Sequence, residues 1–139
     1  AYLEGVGIEL MANSDNVLRG GLTPKHVDLE ELLSVLNFEE RNIRILSPEP
    51  DLMGEATYSG GVKEFVLSTI AVNRNTVYQS ATDRCVEILL CTSGSSTIID
   101  VGKDERIILK KGTSVIIPAA VERYVIKGEA MHYKAAVPL

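Results

Sequence analysis

The chain has 139 residues, 45 % of them hydrophobic and 24 % charged, which is enough for one folded domain with a substantial core. Its 19 acidic residues outnumber its 14 basic ones, and this excess argues against binding to nucleic acid or to an anionic membrane surface. The sequence contains no apolar run near the roughly 18 residues of a membrane span and no charged-then-apolar leader, so it predicts a cytoplasmic protein.

The first predicted element is a strand in the segment "VGIEL". Val6, Ile8 and Leu10 alternate with other residues at the period of two that is typical of a strand. This alternation places Glu9 on the face opposite the apolar side chains, toward solvent or a site. Because the sequence opens on Ala1 inside this strand-like region, we expect the chain to be cut from a longer protein.

A helix is predicted next, over residues 28–40. Asp28 is a good N-cap, Glu31 occupies the capping-box position, and leucines recur at helical spacing in "DLEELLSVLN". Asn37 is the predicted end of the helical turns. The following stretch, "RNIRILSPEPDLMGEATYSGG", is rich in proline and glycine and predicts either a linker or a loosely structured entry strand.

From about Lys63 the pattern is that of β-structure alone, in short runs such as "EFVLSTIAV", "EILLCT", "RIILKK" and "RYVIKG". Gly94, Gly102, Gly112 and Gly128 fall between these runs, at the spacing of hairpin turns. We therefore predict a mainly β fold in which an antiparallel jelly roll follows the one short helix.

Two segments of this predicted jelly roll resemble the cupin family. "EILLCTSG" contains Glu87 and Gly94 at the spacing of the first cupin motif, and "GTSVIIP" contains Gly112 and Pro118 at the spacing of the second. This resemblance implies a double-stranded β-helix.

The histidines of metal-binding cupins have no counterpart in this chain. Ala81 with Asp83, or Ser80 with Thr82, stands where the resemblance would place His-x-His, and Arg123 stands at the later histidine position. We therefore expect no metal in the barrel. Glu87 is predicted to be a strand residue with a polar partner, and Arg123 a surface or rim residue.

The segment "MANSDNVLRGGLTPK" closely resembles the type I mannose-6-phosphate isomerase family, whose motif is M-A-x-S-D-N-V-x-R-x-G-x-T-P-K. The chain matches every fixed position, with Met11, Ala12, Ser14, Asp15, Asn16, Val17, Arg19, Gly21, Thr23, Pro24 and Lys25. The resemblance continues into the helix and, more loosely, into the C-terminal barrel.

The resemblance implies an enzyme that interconverts mannose 6-phosphate and fructose 6-phosphate with zinc held by upstream residues, none of which is in this chain. It also implies three parts. Residues 1–27 would be the last strand and active-site loop of the catalytic cupin, residues 28–40 a connecting helix, and residues 41–139 a non-catalytic cupin. The expected partners are a sugar phosphate and the upstream catalytic domain of the same protein, and no cofactor is expected in this chain.

The same resemblance implies roles for five residues. Arg19 would be catalytic, because a guanidinium stays charged and can stabilise the negative charge that develops during isomerisation. Lys25, Glu9, Tyr2 and Asp15 would line the substrate pocket. Three structural alternatives stay open: Arg19 could bond loop carbonyls, Asp15 could close an Asx-turn, and Tyr2 could belong to the core.

A second function belongs to a different class. The chain could be a free-standing cupin-like binding or interaction module that retains the motif without the reaction. Coding sequence upstream of Ala1 that carries zinc ligands favours the enzyme, whereas a start codon there favours the module. The sequence does not identify the general base.

Overall fold

The computed structural model of the chain describes residues 4–13, 17–40 and 42–139. These residues form two compact units. One unit is Met11–Ile45, and the other contains residues 46–139 together with the described residues up to Leu10. An antiparallel β-sheet dominates the larger unit and one short helix lies in the smaller, so the predicted fold class is confirmed.

The helix, α1, spans Leu29–Val35 in the smaller unit. It begins where the sequence predicts, because the Glu31 backbone N–H donates to Asp28 Oδ1 over 3.0 Å. The helix ends at Val35, two residues before the predicted end at Asn37 and well short of residue 40, since Leu36 already has an extended backbone. None of its residues is buried within the described structure.

The larger unit contains seven strands among the described residues. They are β1 (Glu55–Tyr58), β2 (Val66–Val72), β3 (Tyr78–Gln79), β4 (Glu87–Asp100), β5 (Arg106–Lys110), β6 (Ser114–Ile117) and β7 (Tyr124–Ala136). The sheet order is β1-β2-β7-β4-β5, while β3 pairs with β7 and β6 with β4. Strand β1 lies in the proline-rich and glycine-rich stretch, so part of that stretch is an entry strand.

Two long strands, β4 and β7, hold the sheet together. The first half of β4 pairs with β6 and the second half with β5. In the same way, β7 pairs with β3 near its start and with β2 near its end. Side chains from β2 to β7 pack into one core, which comprises Ile70, Val72, Tyr78, Leu89, Cys91, Ile98, Leu109, Ile117, Tyr124, Ile126 and Ala130. The sheet therefore curls around a single interior.

The turns expected at Gly94 and Gly128 are wrong, because both glycines lie inside long strands. Gly94 pairs with Ala130, and Gly128 pairs with Ser96, where β4 and β7 run closely side by side. Both glycines have positive φ angles, of 74° and 139°. A Cβ at Gly94 would overlap the carbonyl oxygen of Glu129, so these glycines allow close approach of two backbones rather than chain reversal.

Residues 6–10 carry the alternating pattern but do not form a strand in the structure. Alternation shows which face of an extended backbone is apolar, whereas a strand also requires a hydrogen-bonded ladder with a neighbour. In the described sheet, β1 (residues 55–58) is the strand at one edge, and residues 6–10 do not pair with it.

Candidate functional site

Arg19, the predicted catalytic residue, lies in the loop that precedes α1 and is half-buried. Its Nη1 lies 3.5 Å from the carbonyl oxygen of Val17, at the limit of a hydrogen bond. The guanidinium has five N–H donors, so within the part of the loop that the structure describes, one long bond leaves most of them for another acceptor.

Two residues with positive φ bend the chain between Arg19 and Lys25. Gly21 has φ +120° and Leu22 has φ +52°, and leucine rarely adopts this left-handed conformation. The turn is followed by a local bond in which the Lys25 backbone N–H donates to Thr23 Oγ1 over 3.2 Å. These local contacts fix the backbone that carries the exposed side chain of Lys25.

The other predicted pocket residues are placed differently. Glu9 belongs to the larger unit, is exposed, and borders a cleft of about 360 Å³. Tyr2 and Asp15 lie outside the described residues. The remaining lining of the Glu9 cleft is mostly apolar and consists of Ile8, Leu10, Tyr58, Gly60, Val62, Phe65 and Leu67.

The barrel interior contains a charged network that the sequence analysis missed. Lys134 Nζ lies 2.6 Å from Glu55 Oε1 and 3.4 Å from Glu87 Oε1. The same ammonium donates to the hydroxyl oxygen of Tyr78 over 3.1 Å. Four strands, β1, β3, β4 and β7, therefore meet at one lysine.

Glu55 is the most connected acid of this network. Besides Lys134, it accepts hydrogen bonds from Tyr78 over 2.7 Å at Oε2 and from Ser68 over 2.6 Å at Oε1. Burial, reinforced by neighbouring Tyr124 and Glu55, raises the pKa of Tyr78 far above its ordinary value of 10.0. Tyr78 therefore keeps its proton and acts as a donor to the carboxylate.

A second cation, Arg84, neutralises Glu87. Its Nη1 lies 3.4 Å from Glu87 Oε2, and its Nη2 donates to the Pro118 carbonyl oxygen over 3.2 Å. The guanidinium carbon lies 5.3 Å from the centre of the Tyr124 ring, within cation–π range. Burial, reinforced by Glu87, raises the pKa of Tyr124 as well, so this hydroxyl also stays protonated.

The structural expectations for Glu87 and Arg123 are confirmed. Glu87 is a buried residue of β4 with two cationic partners, and Arg123 is exposed. The described residues include no group of three or more His, Cys, Asp or Glu side chains that could hold a metal ion. In the barrel, Lys134 occupies the space between the two nearest carboxylates. The described residues therefore do not fit a zinc ion.

The family model described as "Mannose-6-phosphate isomerase, cupin domain" matches residues 55–135, which is more than half of the chain. The chain belongs to this family. Among its relatives, the mannose-6-phosphate isomerase of Escherichia coli K12 is 36 % identical over 131 residues, which are 92 % of this chain and 32 % of the relative. The Salmonella typhimurium relative is 39 % identical over 123 residues, 86 % of this chain and 30 % of that protein.

Solved structures of this family agree with the sequence comparisons. The apo form of the Salmonella typhimurium enzyme matches with a TM-score of 0.79 and 29 % identity, over 93 % of this chain and 32 % of that one. The same enzyme bound to fructose 6-phosphate and zinc matches equally well. The chain thus spans about a third of the length of the relatives it matches. In the part of it that the structure describes, no helix has both the length and the apolarity needed to cross a membrane.

Proposed function

We propose that this chain is the C-terminal part of a zinc-dependent, cytoplasmic isomerase that interconverts mannose 6-phosphate and fructose 6-phosphate. The observation that carries the proposal is the family match over residues 55–135 together with the complete loop motif over residues 11–25. A structural relative that contains fructose 6-phosphate and zinc supports the same substrate and metal.

The proposed domain organisation follows the resemblance. Residues 1–27 contribute an active-site loop and the strand-patterned segment, whose residues 6–10 form no strand in this structure, to the catalytic cupin. Residues 28–40 form the connection, and residues 41–139 form the second barrel. Since the described residues offer no zinc site, the metal would be held by the catalytic domain upstream of this chain. That domain is then the main partner of the second barrel.

Within the proposed reaction, Arg19 acts as a fixed positive charge. Moving a proton between C1 and C2 of the sugar leaves negative charge on the sugar oxygens, and a planar guanidinium can donate two parallel hydrogen bonds to them. The half-buried position of Arg19 and its long bond to the Val17 carbonyl oxygen are compatible with this task. Lys25, Glu9, Tyr2 and Asp15 are proposed to bind and orient the sugar phosphate.

The test is Arg19→Ala in the complete protein. We expect kcat to fall by roughly 10²–10³, the usual loss for one preorganised donor to developing charge. Zinc content should stay the same because arginine is not a ligand, and stability should change by less than about 1 kcal/mol. The matched control is Arg44→Ala, which removes an exposed arginine of the same unit and should leave kcat unchanged.

Two outcomes would contradict the assignment. Near-normal kcat in a folded Arg19→Ala enzyme would remove Arg19 from the catalytic set. A clear loss of stability, with activity lost only in proportion to unfolded protein, would show that Arg19 braces the loop. If the complete gene product is no longer than this chain and has no isomerase activity, the alternative of a cupin-like binding module replaces the enzyme.

A further inference from the structure

Among the described residues, four charged side chains with balancing formal charges meet in the interior of the barrel. Two are acids, Glu55 and Glu87, and two are bases, Lys134 and Arg84. Their side chains are 15 %, 5 %, 11 % and 4 % exposed, respectively. Charges this deep in a protein are costly unless each one is paired, so the identity of each partner matters for stability.

The pairing within this network is unequal. Among the described residues, Arg84 forms an ion pair with Glu87 and none with Glu55. Its other hydrogen bonds go to the carbonyl oxygens of Cys85 and Pro118. Lys134 is the one cation that contacts Glu55 among the described residues, at 2.6 Å. Without the lysine, the Glu55 carboxylate would keep only the hydroxyl donors of Tyr78 and Ser68.

The surroundings of the Lys134 ammonium are those of a bound cation. Three oxygens lie within 3.4 Å of Nζ, and they come from the side chains of Glu55, Tyr78 and Glu87 on three different strands. An ammonium has three N–H donors, so the number of near oxygens equals the number of donors. The lysine itself enters from a fourth strand, β7.

We propose that the barrel interior is a cation-binding site whose resident cation is the tethered ammonium of Lys134. The inner oxygens of β1, β3 and β4 form the site, and β7 supplies the ligand covalently. It follows that a small primary ammonium ion can replace the lysine once the side chain is shortened. The site selects for positive charge, not for an apolar chain of the same length.

The first experiment separates charge from packing with isosteric variants of the full chain. Lys134→Met keeps most of the side-chain volume but leaves Glu55 without a cation, so we expect Tm to fall by roughly 10 °C. Adding Glu55→Gln to that variant removes the uncompensated charge and should restore more than half of the loss. If the double variant melts no higher than Lys134→Met, or if Lys134→Met melts like the unaltered chain, the proposal is overturned.

The second experiment supplies the cation in free form. Lys134→Ala removes three carbons and an ammonium, which are the atoms of n-propylammonium, so this ion should raise the Tm of the variant in a saturable way. Equal concentrations of 1-propanol, which has the same chain without the charge, should not. Lys127→Ala removes an exposed lysine of the same strand and should show no response to either compound.

If Lys134→Ala is unfolded in buffer, refolding it with n-propylammonium present replaces the melting experiment. Recovery of β-sheet circular dichroism with n-propylammonium but not with 1-propanol supports the site. Equal recovery with both compounds, or recovery with neither, overturns the proposal.

Discussion

His132, two residues before Lys134 in β7, is also fully buried and points to the same interior. Its Nε2 lies 2.9 Å from Ser96 Oγ, and burial lowers its pKa below the ordinary value of 6.5. The imidazole is therefore neutral in the folded protein at neutral pH. Together with Lys134, it makes two consecutive inward positions of β7 polar, whereas Ile126 and Ala130 on the same face are apolar.

The neutral state of His132 makes stability depend on pH. Because the folded pKa lies below 6.5, the unfolded chain binds more protons than the folded chain as pH falls below that value. This contribution to stability is complete above pH 6.5 and is lost as pH falls toward the folded pKa. We expect the free energy of unfolding to decrease between pH 7.5 and pH 5.5, and to decrease less in His132→Gln.

The exposed His26 provides the control for this prediction. His26→Gln should retain the full pH dependence of the unaltered chain when both are unfolded with urea at the two pH values. A His132→Gln variant with the same pH slope as the unaltered chain would show that another group causes the dependence.

At the residue level, the sequence marks some candidate residues and not others. Arg19 and Lys25 could be predicted as site residues because they belong to a dense local motif of fifteen positions, and their roles stay predictions. The Lys134 network was missed because its members are far apart in the chain, with Lys134 56 positions after Tyr78. One pattern could have indicated the network. His132 and Lys134 stand two positions apart in a predicted strand, so both side chains point to the same face.

At the level of elements, β4 and β7 decide the architecture. The sequence predicted the location of most strands, since runs of branched apolar residues have strong β preference. It divided β4 and β7 in two because glycine between such runs commonly marks a turn. A glycine that permits close backbone approach has the same local pattern as a glycine that permits reversal, so only the tertiary pairing distinguishes them.

Of the two glycines, Gly94 has the closer backbone neighbour and therefore gives the clearer test. Gly94→Ala places a methyl group against the backbone of Glu129 and Ala130 at a φ of +74°, so we expect a loss of about 3 kcal/mol in stability. Gly60→Ala is the matched control, because a Cβ there meets nothing within 4 Å. Urea unfolding of both variants measures the difference. Equal stability of the two variants would mean that β4 and β7 are further apart than in this structure.

The start of helix α1 is set by a local interaction, the N-cap at Asp28. Asp28→Ala removes the acceptor of the Glu31 backbone N–H, and loss of such a cap costs about 1 kcal/mol. Hydrogen exchange of the Glu31 amide should therefore be several-fold faster in this variant. Glu30→Ala, one position from the bonded amide, alters first-turn charge without removing the cap and should change that exchange rate less. Equal rates in both variants would contradict the role of the cap.

At the level of the whole molecule, the chain corresponds to about a third of the isomerases it matches. Under the proposed function, it contributes Arg19 and several substrate-binding groups but not the metal. Aldose–ketose isomerisation needs these groups positioned together with the rest of the site, and the rate advantage of proximity disappears when part of the site is missing.

We therefore expect the 139-residue chain alone to show no isomerisation of mannose 6-phosphate, with or without added zinc. A coupled assay that detects fructose 6-phosphate measures this, and the complete protein at the same concentration is the positive control. Turnover by the complete protein that disappears on chelation and returns with zinc would support a site in which the upstream domain holds zinc and this chain supplies Arg19. Turnover by the chain alone, unchanged after further purification and abolished by Arg19→Ala, would show instead that the chain is a self-contained catalyst.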